Sequence, residues 1–371
     1  MREGWEYKRL GECTQILDSQ RKPVTKKDRK EGVYPYYGAT GIQDYVDKYI
    51  FDGRYVLVGE DGAKWGAFDK SAFIIDGKTW VNNHAHVLKP FEPLVDSYLT
   101  YYLNYSDLNG FISGAIVRKL TQSSLKNIKI PLPPKSTQLA IVSELDKINE
   151  LIRLKKEQLK DFDNLAQSIF YEMFGDPVEN EKGWEVKKLN DISQEIGDGL
   201  HGTPEYSDVD TGCFFINGNN LENGIIVIKD NTKTVSEKTK AKHYIEMDDF
   251  TILVSINGTL GKVAFYRGEN VILGKSACYI KLTSYNDKKY IYELLKSEYF
   301  KRYAETECTG TTIRNVSLKS MRNFPIPLPP LPLQHLFAHR IEQIEHQKSE
   351  VQKAITDLET LLASRMQYWF E

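Results

Sequence analysis

The sequence has few cysteines, no long apolar run and no signal peptide pattern, and each absence narrows the class of protein. Its four cysteines, Cys13, Cys213, Cys278 and Cys308, form no CxxC pair, so neither a disulfide framework nor a zinc ribbon is indicated. No apolar stretch approaches the roughly 20 residues that a membrane-spanning helix needs. Residues 1–10 are polar and charged, unlike a secretory signal. We therefore expect a reduced, cytoplasmic protein.

The chain also lacks an excess of positive charge. Its net charge of −2 at pH 7 argues against tight DNA binding by the chain alone, because neutralising phosphates requires clustered cations. The total conceals local bias, since residues 112–135 contain basic but no acidic residues and residues 21–30 contain Asp28 as their one acidic residue. Each basic segment is compatible with a solvated loop or with a nucleic-acid contact.

Motifs for catalysis and for cofactor binding are missing as well. A DNA amino-methyltransferase needs an (N/D)PP(Y/F) loop, but leucine precedes both Pro-Pro pairs, Pro133-Pro134 and Pro329-Pro330. Residues 268–276 resemble a phosphate-binding loop but have one residue too many, and an apolar strand pattern follows them instead of a helix. We expect no catalytic residue and no cofactor.

Histidine spacing gives only weak indications of a metal site. His84 and His86 lie on a predicted strand with both rings on one face, yet no carboxylate or cysteine ligand is identifiable beside them. A structural or DNA-facing role is therefore favoured. His335 and His339 have helical spacing but lack the glutamate of HExxH, which favours a solvated helix face. We expect no metal.

What the sequence does contain is a duplicated frame. The segment GWEYKRL at 4–10 recurs as GWEVKKL at 183–189, and IPLPP at 130–134 recurs at 326–330. The second offset of 196 residues holds without a gap from Gly114 to Gly175, paired with Gly310 to Glu371. Between the matching ends, residues 11–113 and 192–309 look unrelated. Two copies of one frame thus carry two different inserts.

Each copy ends in a predicted helix of about 40 residues with apolar residues at alternating steps of four and three. In the first copy the seam comprises Ile141, Leu145, Ile148, Ile152, Leu159, Phe162, Ala166, Ile169 and Met173, with Lys155 as its polar position. In the second it comprises Phe337, Ile341, Ile344, Val351, Ile355, Leu358, Leu362 and Trp369, interrupted by Lys348 and Arg365. A seam this narrow favours antiparallel pairing of the two helices, although each helix could instead cover its own domain.

Short apolar runs separated by glycine-rich connections predict strand-rich inserts. The predicted strands cover 55–58, 72–75 and 86–88 in the first insert and 213–216, 225–228, 251–254, 263–266 and 277–280 in the second. Helices are predicted over 98–104 and 289–303. The Pro-Leu-Pro-Pro segments are predicted hinges, because proline cannot continue a strand or a helix.

The combination of framed inserts, IPLPP segments and long terminal helices resembles the specificity subunit of Type I restriction-modification systems. The resemblance covers essentially the whole chain. Within the inserts, residues 36–41, 59–62, 82–87 and 197–204 are similar to segments of that family's target-recognition domains.

The resemblance implies an α+β fold in which two mixed, strand-rich target-recognition domains are separated by a long antiparallel two-helix coiled coil with pseudo-twofold symmetry. It implies domains at 1–130 and 176–326, each followed by a hinge and spacer helix at 131–175 and 327–371. Each domain would read one half of a bipartite, asymmetric double-stranded DNA site. The helices would fix the gap between the halves and dock two modification (methyltransferase) subunits, through which restriction and translocase subunits join.

Candidate DNA-binding residues are those that can meet bases or phosphates from loops. In the first half they are Tyr37, Thr40, Gly41, Lys64, Asn82, Asn83, Arg118, Lys119 and Gln122. In the second half they are His201, Thr203, Asn217, Asn219, Asn220, Asn257, Thr259, Lys275, Arg314 and Asn315. Asparagine also forms turns, so both roles stay open for each of them. Arg118 and Arg314 recur in both copies and are assigned to phosphate contact or domain packing.

Two other functions are weighed against this one. A free-standing DNA methyltransferase or nuclease would act without partners, and the missing motifs argue against it. An inactive or phase-variable specificity protein would keep the helices as an interaction module, and two complete inserts argue against that.

Overall fold

The computed structural model describes residues 4–308 and 314–371, and the chain divides into two compact units. Unit 1 comprises Met1–Leu159 and Glu350–Glu371, and unit 2 comprises Lys160–Ser349. Each unit therefore contains a sequence insert together with part of both long helices. Helices and strands are mixed in each unit, which confirms the α+β class.

Unit 1 contains two four-stranded sheets with the strand orders β2-β9-β6-β7 and β4-β3-β8-β5. Its strands are β1 Glu6–Arg9, β2 Thr14–Ile16, β3 Glu31–Gly38, β4 Gly41–Val46, β5 Phe51–Asp52, β6 Tyr55–Gly59, β7 Ala72–Ile75, β8 Lys78–Val81, β9 Ala85–Pro90, β10 Ile112–Ser113, β11 Lys119–Leu120 and β12 Lys129–Leu132. Its helices are α1 Leu10–Cys13, α2 Asp96–Tyr105, α3 Gln122–Lys126 and the first part of α4 Lys135–Phe174.

Unit 2 contains one four-stranded sheet, of order β14-β21-β18-β19, and shorter strand pairs. Its strands are β13 Glu185–Lys188, β14 Ser193–Asp198, β15 Phe214–Ile216, β16 Leu221–Glu222, β17 Ile225–Ile226, β18 Thr251–Ser255, β19 Val263–Phe265, β20 Val271–Leu273, β21 Ala277–Leu282 and β22 Pro325–Leu328. Its helices are α5 Glu237–His243, α6 Lys288–Lys296, α7 Glu298–Thr306, α8 Leu318–Asn323 and the first part of α9 Leu331–Phe370.

The two inserts share a topology that their sequences conceal. The order β2-β9-β6-β7 in unit 1 has the same arrangement as β14-β21-β18-β19 in unit 2, and each of these sheets is antiparallel throughout. A parallel pair also recurs, β3 with β8 and β15 with β20. The inserts are thus two versions of one fold, because sheet order depends on buried apolar positions and not on residue identity.

The expectation that proline prevents the IPLPP segments from continuing a strand is wrong for the first residues of each. Residues 129–132 form β12, which pairs antiparallel with β1, and residues 325–328 form β22, which pairs with β13. Proline is tolerated here because each of these strands lies at the edge of a two-stranded sheet, where an N–H can be missing. The GWE and IPLPP segments are therefore the two strands of one small sheet in each unit, which closes the insert at its ends.

Matching hydrogen bonds fix the start of each long helix. Gln138 and Gln334 are 0% and 1% exposed, and their Nε2 atoms donate to the carbonyls of Pro133 (2.9 Å) and Pro329 (2.8 Å). Buried tyrosines contact the same edge strands: the Tyr98 hydroxyl donates to the carbonyl of Pro131, and the Tyr290 hydroxyl donates to the carbonyl of Pro327. The burial of these glutamine and tyrosine side chains is tolerated because each forms a hydrogen bond.

The helix seams pack as predicted in both units. In unit 1, Ile141, Leu145, Ile148 and Ile152 of α4 are buried, as are Val351 and Ile355 of α9. In unit 2, the buried seam residues are Ala166, Met173, Phe337, Ile341 and Ile344.

Paired residues show that the helices are antiparallel within each unit. In unit 1, Glu144 bonds Arg365 and Lys156 bonds Glu359. In unit 2, Lys348 lies 2.9 Å from Asp163, so this polar seam position is neutralised by the partner helix. Phe337 also packs on Phe170 further along the same pair.

Most predicted elements are present with small changes of length. The helix predicted over 289–303 is instead two helices, α6 and α7, which meet at Ser297. The strand predicted over 225–228 ends at Ile226. Within residues 4–308 and 314–371, every helix is too short or too polar to cross a membrane.

Candidate nucleic-acid interface

Four loops of unit 1 lie side by side at one edge of its sheets. They follow β3, β6 and β8 and surround β11. Three backbone hydrogen bonds connect them: Asn82 N to Tyr37 O at 3.0 Å, Glu60 N to His84 O at 2.8 Å, and Leu120 N to Glu60 O at 2.8 Å. We call the set of loops at 38–43, 59–65, 82–84 and 114–122 the unit 1 loop edge. It contains eight of the nine candidate residues of the first half, and the ninth, Tyr37, directly precedes its first loop.

Exposure divides these candidates into three groups. Thr40, Lys64, Asn83 and Arg118 are exposed, and Tyr37, Gly41, Lys119 and Gln122 are half-buried. Asn82 is 2% exposed. Its Oδ1 accepts a hydrogen bond from His84 N and its Nδ2 donates to Gln43 Oε1. Its side chain therefore connects the loop at 82–84 to the loop at 38–43 beneath the surface. The structure therefore moves Asn82 from the set of base-contacting candidates to a supporting position.

A buried ionic network holds the unit 1 loop edge together. His86 is 0% exposed, with Nδ1 2.6 Å from Asp18 Oδ2 and Nε2 2.7 Å from the carbonyl of Leu120. Both ring nitrogens of His86 therefore face hydrogen-bond acceptors. The carboxylate of Glu60 forms ion pairs with Lys119 (Nζ to Oε1, 2.6 Å) and with Arg21 (Nη1 to Oε2, 2.5 Å). The network connects the segments that follow β2 and β6 with β9 and β11 at the edge where the loops begin.

This network corrects the sequence-based view of the histidines. Carboxylates do lie beside His86, although they are distant in sequence. His84 is in the turn before β9 rather than on the strand, and it contacts Asp61. Asp18, Glu60 and His86 are spaced closely enough to hold a metal ion. Both carboxylate oxygens of Glu60 are occupied by cationic side chains, so charge balance is already provided by the protein.

The two buried carboxyl groups are stabilised in their charged form. Burial acts to raise the pKa of Asp18, but hydrogen bonds from His86 and Val87 N outweigh it and the pKa lies below its ordinary value. Burial likewise acts to raise the pKa of Glu60, and hydrogen bonds from Lys119 and Arg21 reverse the effect. Both groups are therefore charged at neutral pH and add to the stability of unit 1.

We expect acid to loosen unit 1 through these two groups. Because their folded-state pKa values are lowered, their stabilisation is complete above the ordinary values of 3.8 and 4.5 and is lost as the pH falls through the lower folded values. Hydrogen exchange of the β9 amides, followed from about pH 6 to about pH 3 with correction for intrinsic rates, measures this. Glu60→Gln should show a shallower decline, and equal declines in both proteins would contradict the expectation.

Unit 2 has a corresponding edge, formed by the loops at 199–203, 217–220, 256–259, 274–276 and 314–316, which we call the unit 2 loop edge. Its backbone bonds match those of unit 1: Gly274 N to Ile216 O at 2.8 Å, Ile256 N to Ser276 O at 3.0 Å, and Val316 N to Ile256 O at 2.9 Å. Gly310, which stands four residues before Arg314 as Gly114 stands before Arg118, lies outside the described residues. All ten candidates of the second half are on this edge.

The unit 2 candidates also differ in exposure. His201, Thr203, Asn219, Thr259, Lys275 and Arg314 are exposed, and Asn217, Asn257 and Asn315 are half-buried. Asn220 is buried at 8% exposure and donates to Val227 O, while its Oδ1 accepts from Asn217 N. Asn220 thus closes a turn and is reassigned to a supporting position, like Asn82.

The ionic network has no counterpart at the matching strand positions of unit 2. Val58 pairs with His86 in unit 1, whereas Val254 pairs with Cys278 in unit 2. Cys278 is 0% exposed, and burial raises the pKa of its thiol far above its ordinary value, so it is a neutral core residue. The same scaffold therefore carries an ionic network at this position in one unit and a neutral thiol in the other.

The shared arginines occupy similar exposed positions. Arg118 donates to Asn109 and lies 6.0 Å from the ring centre of the Trp65 indole. Arg314 is 63% exposed and pairs with Glu305 at 2.8 Å. Both pairs involve exposed groups that can exchange partners at little cost.

Two residues that contribute to the unit 1 loop edge are not among the candidates predicted from the sequence. Arg21 belongs to the basic segment at 21–30, but nothing in that segment shows that its guanidinium is buried against Glu60. Gln43 follows the hairpin turn and lies on the surface beside Asn82. The hairpin pattern could have located it, because a polar residue next to a glycine turn at this edge is presented outward.

Comparisons with known proteins agree with this arrangement. The family model described as the Type I restriction modification DNA specificity domain matches residues 2–161 and 181–360. The Haemophilus influenzae protein S.HindORF215P, provisionally named a type I restriction enzyme specificity subunit, is 29% identical and covers 92% of this chain and 87% of its own. The MjaVIII specificity subunit of Methanocaldococcus jannaschii is 22% identical over 97% of this chain and 92% of its own.

Solved structures show the same fold. The Type I restriction-modification S subunit from M. genitalium superimposes with a TM-score of 0.55 at 14% identity, covering 99% of this chain and 96% of that one. A chain from a structural study of type I complex assembly and conformational transition gives a TM-score of 0.61 at 18% identity, covering 100% and 98%. With both halves matched by one family model, the chain belongs to the Type I restriction modification DNA specificity domain family and carries two copies of its domain.

Proposed function

We propose that this chain is the DNA-recognition subunit of a Type I restriction-modification complex. Each unit reads one half of a split, asymmetric target through its loop edge. The chain transfers no methyl group and cuts no bond. Partner subunits perform that chemistry after the chain has placed them on its target.

The observation that carries the proposal is the pair of loop edges. Both are built on the same sheet order and joined by the same backbone hydrogen bonds, yet they present different side chains. Thr40, Lys64 and Asn83 stand on one edge, and His201, Asn219 and Lys275 stand on the other. Side chains of these types donate to and accept from base edges in the major groove. A common scaffold with two different surfaces suits a target whose halves differ.

The long helices supply the surface for partners. Leucines at 139, 151 and 154 are 46–49% exposed on α4, and Leu336 and Leu361 are 46% and 45% exposed on α9. These residues lie outside the seams, so the helix pairing leaves them uncovered. We propose that two modification subunits dock on these outer faces, and that restriction subunits join through them.

Arg118 and Arg314 suit phosphate contact, because both units carry them at equivalent positions of the repeated frame. A contact that is present in both halves cannot distinguish their sequences. The near-neutral charge of the chain further supports an affinity that depends on the basic surface of its partners.

Binding measurements at several salt concentrations test the proposal. The chain with its modification subunits should prefer one two-part sequence over unrelated DNA, and the chain alone should bind weakly at physiological salt. Arg118→Ala should weaken binding to all sequences alike and lower the slope of log affinity against log salt by about 0.9, as the loss of one phosphate contact predicts.

Three outcomes would contradict the proposal or one of its parts. Tight specific binding by the chain alone would remove the need for partners. Methyl transfer by the purified chain would support the rival catalytic function. An unchanged salt slope in Arg118→Ala would refute the phosphate contact alone.

A further inference from the structure

We propose that Gln43 reads one adenine in the half-site contacted by unit 1, with Asn82 fixing the orientation of its carboxamide. The proposal rests on the DNA-recognition function above and adds to it a residue and a base. Gln43 is exposed on β4, directly after the turn between β3 and β4. Glutamine and asparagine are the side chains that can bind both the N7 acceptor and the N6 amino donor of adenine.

A β-bulge presents the Gln43 side chain. Tyr37 pairs with Ile42 and Tyr36 pairs with Asp44, so Gln43 is the extra residue between two paired positions. Bulges bend a strand locally and redirect the side chain that they carry. The bulge lies at the end of β4 that borders the unit 1 loop edge.

Gly38 leaves the space that this side chain occupies. A Cβ atom on residue 38 would lie 2.1 Å from Gln43 Nε2. The carboxamide therefore lies across the backbone of Gly38 and cannot do so beside a larger residue. The glycine and the bulge together hold the Gln43 amide at the surface.

Asn82 then determines which way the amide faces. His84 N is a backbone donor, so the Asn82 atom 2.8 Å from it must be the oxygen. Asn82 Nδ2 consequently faces Gln43, and the Gln43 atom at 3.2 Å must be its oxygen Oε1. This chain of bonds, which begins at a backbone N–H, removes the usual ambiguity of an amide.

The remaining hydrogen-bonding capacity of Gln43 matches adenine. Its Nε2 donates to no group in the part of the chain that the structure describes, and Oε1 keeps one lone pair. Nε2 can donate to adenine N7 while Oε1 accepts from the adenine N6 amino group. Guanine presents acceptors at both positions, and cytosine presents no acceptor for Nε2, so both match less well.

The test measures base preference at every position of the target. The wild-type chain, assembled with its modification subunits, is titrated with duplexes carrying each single base-pair change. One position of the unit 1 half-site should prefer adenine by about 5-fold to about 150-fold. In Gln43→Glu that preference should fall to within about twofold or turn to cytosine, since the donor is lost. Every other position should keep its preference.

A second variant tests the role of Asn82. In Asn82→Asp the carboxylate can still accept from His84 N but can no longer donate to Gln43, so the Gln43 amide should turn around. The adenine preference should then fall although Gln43 is intact. Gln15→Glu, which makes the same change at an exposed position of β2, serves as the matched control and should leave the profile unchanged.

The possible failures are distinguishable. If Gln43→Glu keeps the wild-type profile, or loses affinity equally for all sequences, the assignment of Gln43 is overturned while the recognition function stands. If the wild-type complex shows no sequence preference at any position, the proposed function itself fails.

Discussion

Arg21→Met is expected to lower the free energy of unfolding of unit 1 by about 3–5 kcal/mol, the usual cost of removing one partner from a buried ion pair. Arg21 has a side chain that is 12% exposed and lies against Glu60 and Asp18, which are 9% and 7% exposed. Its guanidinium also donates to the carbonyl of Ala85 at 2.8 Å. Methionine would fill much of the volume but remove the cation beside Glu60 Oε2, which would leave the carboxylate with Lys119 at 2.6 Å and the His86 ring at 3.6 Å.

Hydrogen exchange in the intact chain measures this loss unit by unit. The amides of β9 should exchange faster, while those of β21 in unit 2 should keep their rates. Arg153→Met is the control, because Arg153 pairs with Glu150 and Glu157 where all three side chains are 53% exposed. Such an exposed pair contributes little to stability, because water screens its charges. If the two variants destabilise unit 1 equally, the network is not the support described here.

Phe337→Ala is expected to destabilise unit 2 by about 3–5 kcal/mol, as large truncations in a packed core do. Phe337 is 0% exposed, and its ring lies 5.2 Å from Phe174 and 5.7 Å from Phe170, centre to centre. These rings join the two long helices within unit 2 and also contact Tyr290 of α6. Truncation would open a cavity where the helix pair meets the rest of the unit.

Leu336→Ala provides the comparison at the neighbouring position. Leu336 is 46% exposed and lies outside the seam, so its truncation should cost no more than about 0.5 kcal/mol in the isolated chain. The exchange rates of the α6 amides report both variants. Equal effects at the two positions would refute the packing derived from the seam.

Local patterns predicted the long helices and their pairing well. Alternating steps of four and three are set by the geometry of two packed helices, so the buried positions can be read directly from the sequence. Lys348 and Arg365 interrupt their seam, and the structure pairs them with Asp163 and Glu144 of the other helix. The duplicated GWE and IPLPP segments predicted two equivalent halves, but not that these segments pair as strands, because proline normally indicates a break.

The loop edges depended on contacts that no local pattern records. Asp18 and His86 are 68 residues apart in sequence, and their partners Glu60 and Lys119 come from two further parts of the chain. The common topology of the inserts was equally hidden, since corresponding strand positions hold His86 in one unit and Cys278 in the other. Asn82 and Asn220 were correctly placed near the surface loops, but burial could not be judged without the fold.

Exchange of one insert tests the central claim most directly. Residues 11–113 would be replaced by the first insert of a related chain with a different target, and methylated sites would be mapped in cells that contain the partner subunits. We expect one half of the two-part target to change to that of the donor chain and the other half to remain. A change in both halves, or in neither, would contradict the claim that each unit reads its own half-site.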